Sequence, residues 1–469
     1  MSFDRFMPLA DTDSPTLRAI DPGRLGCDAF RRRHGIKYAY VAGAMYKGIA
    51  SKELVVRIGR ARLLGFLGTG GLKPERIDRD LQWIGEQLGG TGIYGANFLA
   101  APFDPEIEHA TAEILLERRV PRIEAAAFTQ ISMDLAWLRL RGMTRDADGV
   151  VRSPRQIMTK ISRPEVAAQF LRPVPDVLRR TLLASGLINA EEAEWGATVP
   201  VADDICVESD SGGHTDRGVA YVLLPVILRL RDDLSREHGY ARKIGVGAAG
   251  GLGTPEAVAA SFVVGADFVL TGSVNQCTVE AGTSDRVKDM LQAAEAQDMD
   301  IVPAGDMFEM GAKVQVFKRG LLFPGRAKKL YDLYRQYDSI EQIDAKTREQ
   351  IETRYFKRSF DAVWEETRMF YAQRAPAVIA RAERDPKHRM ALIFRWYFVH
   401  TSRLALAGEP AEQTDFQIHS GPALGAFNQW VRGTAMADWR NRHVDLIADQ
   451  LMTGAAAVLS QRYRSLIET

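Results

Sequence analysis

With 469 residues, 46% of them hydrophobic and 26% charged, the chain can bury a large core and has room for two or three domains. Its 61 basic side chains against 60 acidic ones leave a net charge of +1, which provides no global field for nucleic acid or an anionic membrane. Three scattered cysteines, Cys27, Cys206 and Cys277, argue against a disulfide framework or a four-ligand zinc site, and no apolar run reaches the ~18 residues of a membrane span.

Residues 1–36 read as an N-terminal segment without the apolar core of a signal peptide, so a cytoplasmic location is expected. From residue 37 to about 300, short apolar runs alternate with stretches of helical period: "KYAYVAGAM", "LLGFLGTGG", "YGANFLA", "RIEAAAF", "IMTKIS", "DICVESDSGGH", "KIGVGAAGG" and "FVLTGSVNQ". Eight strands apolar on both faces, each followed by a helix, predict an α/β fold whose parallel sheet closes into a (β/α)8 TIM barrel. Ser162 with Glu165 has the spacing of a capping box. Thr254 ahead of Pro255 reads as an N-cap, and Gly265 as the stop of that helix. Residues 164–203 exceed one barrel helix and predict a helical insertion. Beyond residue 300 helical patterns dominate, which predicts a separate helical domain or lid, 301–469; the substrate and carrier-protein role expected for it comes from the resemblance given below.

In such a barrel the reactive surface lies at the carboxyl ends of the strands. Those ends carry Ala44 and Met45, Thr69, Asn97, Lys160, Glu208, Gly212-Gly213-His214, Ala249-Gly250-Gly251 and Gly272-Ser273. The glycines after strands seven and eight, with the Ser273 hydroxyl, would let backbone N–H groups close on a phosphate; the alternative is tight turns alone. Lys160 would meet a phosphate or the pyrimidine edge of a flavin as a point charge, or is a plain loop lysine. Asn97 offers a donor and an acceptor to a ring, or caps its own loop. His214 can exchange a proton near neutrality, or bonds within its turn.

The series "AGAM", "GFLGTGG", "GANFL", "ESDSGGH", "GAAGG" and "TGSVNQ" resembles the FMN-dependent enoyl reductase and nitronate monooxygenase superfamily. "ADDICVESDSGGHTDRG", "DMFEMGAKVQVFKRG", "ERDPKHRMALIFRWY" and "GPALGAFNQWVRG" are similar to the trans-acting enoyl reductases of trans-acyltransferase polyketide synthases and of polyunsaturated fatty acid synthases. The interval between Glu208 and Gly212-Gly213-His214 is one position shorter than is usual in the superfamily. The resemblance implies FMN as cofactor, NADPH or NADH as hydride donor, and an enoyl thioester on an acyl carrier protein as substrate, with His214 or a water as proton donor. Nitronate oxidation is the alternative reaction. The oligomeric state is left between monomer and homodimer. Met307, Phe308 and Met310 would face an acyl chain or fill a core. The basic residues Lys318, Arg319, Arg326, Lys328 and Lys329 would dock the acidic carrier protein or form a solvated helix face.

Overall fold

The computed structural model describes residues 19–89, 92–102 and 104–467; the first 18 residues of the expected N-terminal segment lie outside them. The eight apolar runs form the strands β1 (Tyr40–Ala42), β2 (Leu64–Leu67), β3 (Gly95–Leu99), β4 (Arg122–Ala126), β5 (Gln156–Ile161), β6 (Asp204–Glu208), β7 (Gly245–Ala249) and β8 (Val269–Thr271). They pair in parallel as a closed barrel in the order β1-β8-β7-β6-β5-β4-β3-β2. Both faces of these strands are buried, which is why they read as continuous apolar runs and not as alternating ones. The lumen is filled by Val41, Leu64, Phe66, Met158, Cys206 and Phe268, and a second apolar layer packs the outer side of the sheet against the helices.

Helix starts follow the sequence at one of the two expected sites. Thr254 caps Pro255–Val264 by accepting from the Ala257 N–H, and Gly265 ends that helix in the left-handed region. The Ser162 capping box does not form. Arg163 is the N-cap of Pro164–Phe170 without a side-chain bond, because the Ser162 hydroxyl donates instead to Asp216 at 2.6 Å. Residues 164–203 hold three helices, Pro164–Phe170, Asp176–Ala184 and Ala190–Trp195.

The amino ends of the strands are closed by buried ions. Asp204, at the start of β6, has no exposure. Its Oδ1 accepts from Arg33 and its Oδ2 lies 2.9 Å from His34 Nε2. Arg122, at the start of β4, donates to His34 Nδ1 at 3.0 Å and to the His34 carbonyl at 2.9 Å. With Nδ1 accepting, Nε2 carries the proton and the imidazole is neutral; burial pushes its pKa down, against the opposing effect of Asp204.

The chain divides into two compact units. One takes in the chain up to Ser211, Asp216–Gly282 and the chain from Ala426 onwards; the other is Gly212–Thr215 with Thr283–Gly425. The division thus departs from a break at residue 301, because the long helix Val444–Ile467 packs on Pro255–Val264 and is tied to the barrel unit by Arg57–Asp445 at 2.9 Å and Lys37–Asp449 at 2.7 Å. The second unit is also not wholly helical. Strands β9 (Met299–Pro303) and β10 (Lys313–Phe317) pair antiparallel, and the short strand Gly213–His214 joins the edge of β10. Its core gathers Phe308, Phe323, Phe394, Tyr397 and Phe398. No helix among the described residues is long and apolar enough to cross a membrane.

Candidate functional site at the carboxyl end of the barrel

Backbone and side-chain bonds tie the loops at the carboxyl ends of the strands together. The Gly43 N–H donates to the Thr271 carbonyl at 2.9 Å, joining β1 to β8, and the Lys47 N–H donates to the Gly70 carbonyl at 2.6 Å, joining the loops after β1 and β2. Thr69 donates to the Asn97 carbonyl at 2.7 Å, and Asn97 Nδ2 to the Glu124 carbonyl at 2.9 Å. Ser209 Oγ donates to the Ala249 carbonyl at 2.7 Å, joining the β6 loop to β7. Thr69, Asn97 and Ala249 are thereby buried, while Ala44, Met45, Lys160, Glu208, Gly250, Gly272 and Ser273 are half-buried and Gly251 is exposed.

The charged members form one cluster. Lys160 Nζ lies 3.4 Å from Glu208 Oε1. Burial opposes the ammonium charge, but the carboxylates of Glu208 and Glu124 outweigh it and hold Lys160 protonated. Glu124 itself has no exposure; burial pushes its carboxyl up from 4.5 to about 7, with Lys160 and the Ala44 N–H working the other way. Glu124 was not among the residues predicted from sequence. Its signal was available: a lone carboxylate inside "RIEAAAF", a strand buried on both faces, needs a reason to be there.

The loops after β7 and β8 present two places free of side chain. Gly251 has φ +73° and Gly272 has φ −125° with ψ −75°, and a Cβ built on either meets nothing within 4 Å. Gly250, at φ +87°, would instead drive a Cβ to 2.8 Å from the Asp210 carbonyl and Ser209 Oγ. The short 3-10 turn Ser273–Cys277 follows Gly272. Open backbone at two adjacent strand ends suits a phosphate, whose oxygens take N–H groups directly.

Gly213 and His214 belong to the other compact unit. There His214 Nε2 lies 3.0 Å from Asp306 Oδ1, and its strand pairs with Val314 and Gln315 of β10. Farther along β10, Val316 bridges to His419, whose Nε2 lies 2.6 Å from Gln417 Nε2. Asp306 and His419 escape sequence reading because they lie 92 and 205 positions after His214 with no local motif. In the same unit Phe308 is core and Met310 is exposed. The basic segment is largely neutralised: Arg326 pairs with buried Asp415, Lys328 with Asp300 at 2.7 Å, and Arg319 with Asp298 at 3.5 Å.

Fold and loops together define a (β/α)8 barrel with open glycine backbone at the carboxyl ends of two adjacent strands. The enoyl reductase domain of MlnA from the macrolactin cluster of Bacillus amyloliquefaciens superposes with a TM-score of 0.91 at 41% identity, covering 94% of this chain and 99% of that one. Polyketide biosynthesis protein PksE of Bacillus subtilis is 49% identical over 444 residues, 95% of this chain and 58% of PksE. A polyunsaturated fatty acid synthase polypeptide of Thraustochytrium is 44% identical over 416 residues, 88% of this chain and 28% of that polypeptide. The chain therefore spans little more than half of the first of these curated relatives and much less of the second. Residues 337–416 match the inserted helical domain of [acyl-carrier-protein] S-malonyltransferase. The chain belongs to the trans-acting enoyl reductases of polyketide and polyunsaturated fatty acid synthases.

Proposed function

We propose that the chain reduces the α,β double bond of an enoyl thioester tethered to an acyl carrier protein, with FMN as cofactor and NADPH or NADH as the source of hydride, within a cytoplasmic biosynthetic assembly. The observation that carries this reading is the end-to-end match to the MlnA enoyl reductase domain, at 41% identity. Bound FMN would supply the hydride-transfer chemistry. Gly250, Gly251, Gly272 and Ser273 would hold its phosphate through backbone N–H groups and a hydroxyl, the open space at Gly251 and Gly272 supporting that role. Ala44, Met45, Thr69 and Asn97 would bound the ring, and Lys160, kept charged beside Glu208, would face its electron-rich carbonyl edge. His214 would hold the proton that goes to the α-carbon, and Asp306 would fix the orientation of the imidazole. The carrier protein would dock elsewhere than on the Lys318–Lys329 segment, where three of the cations are already paired.

Purified protein supplied with FMN should consume NADPH or NADH when an enoyl N-acetylcysteamine thioester or an enoyl-carrier protein is added. Consumption of oxygen with an alkyl nitronate, and no response to either thioester, would move the chain to the nitronate monooxygenases.

A further inference from the structure

Glu124 has no solvent exposure, yet only one of its carboxyl oxygens is bonded. Oε2 accepts from the Ala44 N–H at 2.9 Å and lies 3.5 Å from Asn97 Nδ2. Oε1 is covered and has no hydrogen-bond partner. Leaving a buried acceptor unpaired costs about 1–3 kcal/mol, and more when it is charged. Native structures keep few such groups, and those they keep call for an explanation such as a functional role. The neighbours point to one. Asn97 stands opposite Glu124 in the β3–β4 register, so the two side chains share a face of the sheet. Lys160 and Glu208 act on Glu124 through their charges.

We propose that Glu124 contacts the cofactor, its Oε1 accepting a hydrogen bond from the imide N–H of the flavin's pyrimidine ring; the inference rests on the flavoprotein reading above. That edge of the ring reads carbonyl, N–H, carbonyl. A cluster that holds a protonated lysine beside a carboxyl with a spare oxygen matches it: the ammonium donates to a carbonyl and the carboxyl accepts from the N–H. A lysine alone would satisfy the carbonyls and leave the N–H without an acceptor. The titratable groups that act on Glu124 are Lys160 on β5, which stays charged, and Glu208 on β6. Cys206, also on β6, is kept as a neutral thiol by burial. Glu124, near half-ionised at pH 7, therefore becomes a better acceptor as pH rises through neutrality.

The test is a fluorescence titration of apoprotein with FMN and with 3-methyl-FMN, in which a methyl group replaces the imide hydrogen. The unaltered protein should bind FMN about tenfold more tightly or better, the worth of one charge-assisted hydrogen bond, and the preference should widen between pH 6 and pH 8. Glu124→Leu should lose the preference, and Glu124→Gln, a neutral acceptor, should keep a smaller one that no longer changes with pH. Equal affinity for the two flavins in the unaltered protein, or an undiminished preference in Glu124→Leu, overturns the proposal. Where a variant fails to fold, the unaltered protein decides alone: equal affinity for FMN and 3-methyl-FMN overturns it. Apoprotein that binds neither flavin removes the flavoprotein reading itself, a result distinct from binding both equally.

Discussion

The two ends of the barrel bury charge in opposite ways. At the amino end Asp204 has both oxygens occupied, by Arg33 and by a neutral His34 that Arg122 holds in its tautomer. At the carboxyl end Glu124 has one oxygen occupied and one orphaned, and Gly251 and Gly272 face open space. The pairs around Asp204 fix strand positions, although Arg33 Nε in the same network is buried without a partner among the described residues. The orphaned oxygen of Glu124 lies where barrels place their reactive surface.

The largest effect that would break this comparison is on folding. Asp204→Asn removes one partner of a buried ion network and should cost about 3–5 kcal/mol, seen as a lower urea midpoint. Its loss should leave cofactor content per folded molecule unchanged. A smaller effect, on catalysis, concerns the other unit. His214→Ala should lower enoyl turnover about 100-fold while reduction of the bound cofactor by NADPH or NADH continues. Asp306→Asn should lower turnover by less, because the imidazole loses the carboxylate that orients it. Unchanged turnover in both variants would make water the proton source.

A third effect is a pH dependence of stability, of which only part falls between pH 5 and pH 7.5. Glu124 has a pKa raised by burial from 4.5 to about 7. The folded state therefore binds this proton more tightly than the unfolded chain does. The stability that proton confers is complete below about pH 4.5 and is lost as pH rises through about 7, up to about 3 kcal/mol in all. Glu124→Gln should flatten that part of the profile, as urea midpoints at pH 5 and pH 7.5 would record. An equally steep decline in the variant would place the titration elsewhere.

The barrel was legible because its strands are buried on both faces, which leaves an unbroken apolar run in the sequence for each of them. Thr254 and Gly265 were legible because capping is local. Ser162 misled for the opposite reason: Asp216, 54 positions away, takes its hydroxyl. Strands β9 and β10 were missed, each only five residues long within a stretch of helical pattern. At the site, the glycines and Lys160 were visible from their place at strand ends. Asp306 and His419 were not, since only the pairing of β10 with Gly213–His214 and with His419 brings them near His214. Glu124 was overlooked because one acidic residue in a strand looks ordinary until its burial is known.

The central claim, that the carboxyl end holds the cofactor and the amino end holds the fold, is tested most directly by measuring flavin stoichiometry in two variants at matched folded fraction. Gly251→Val puts side chain into the open space at φ +73° and should give folded, colourless protein. Asp204→Asn should be less stable and yet carry about one flavin per folded chain. Full flavin in Gly251→Val, with flavin lost from folded Asp204→Asn, would contradict the account.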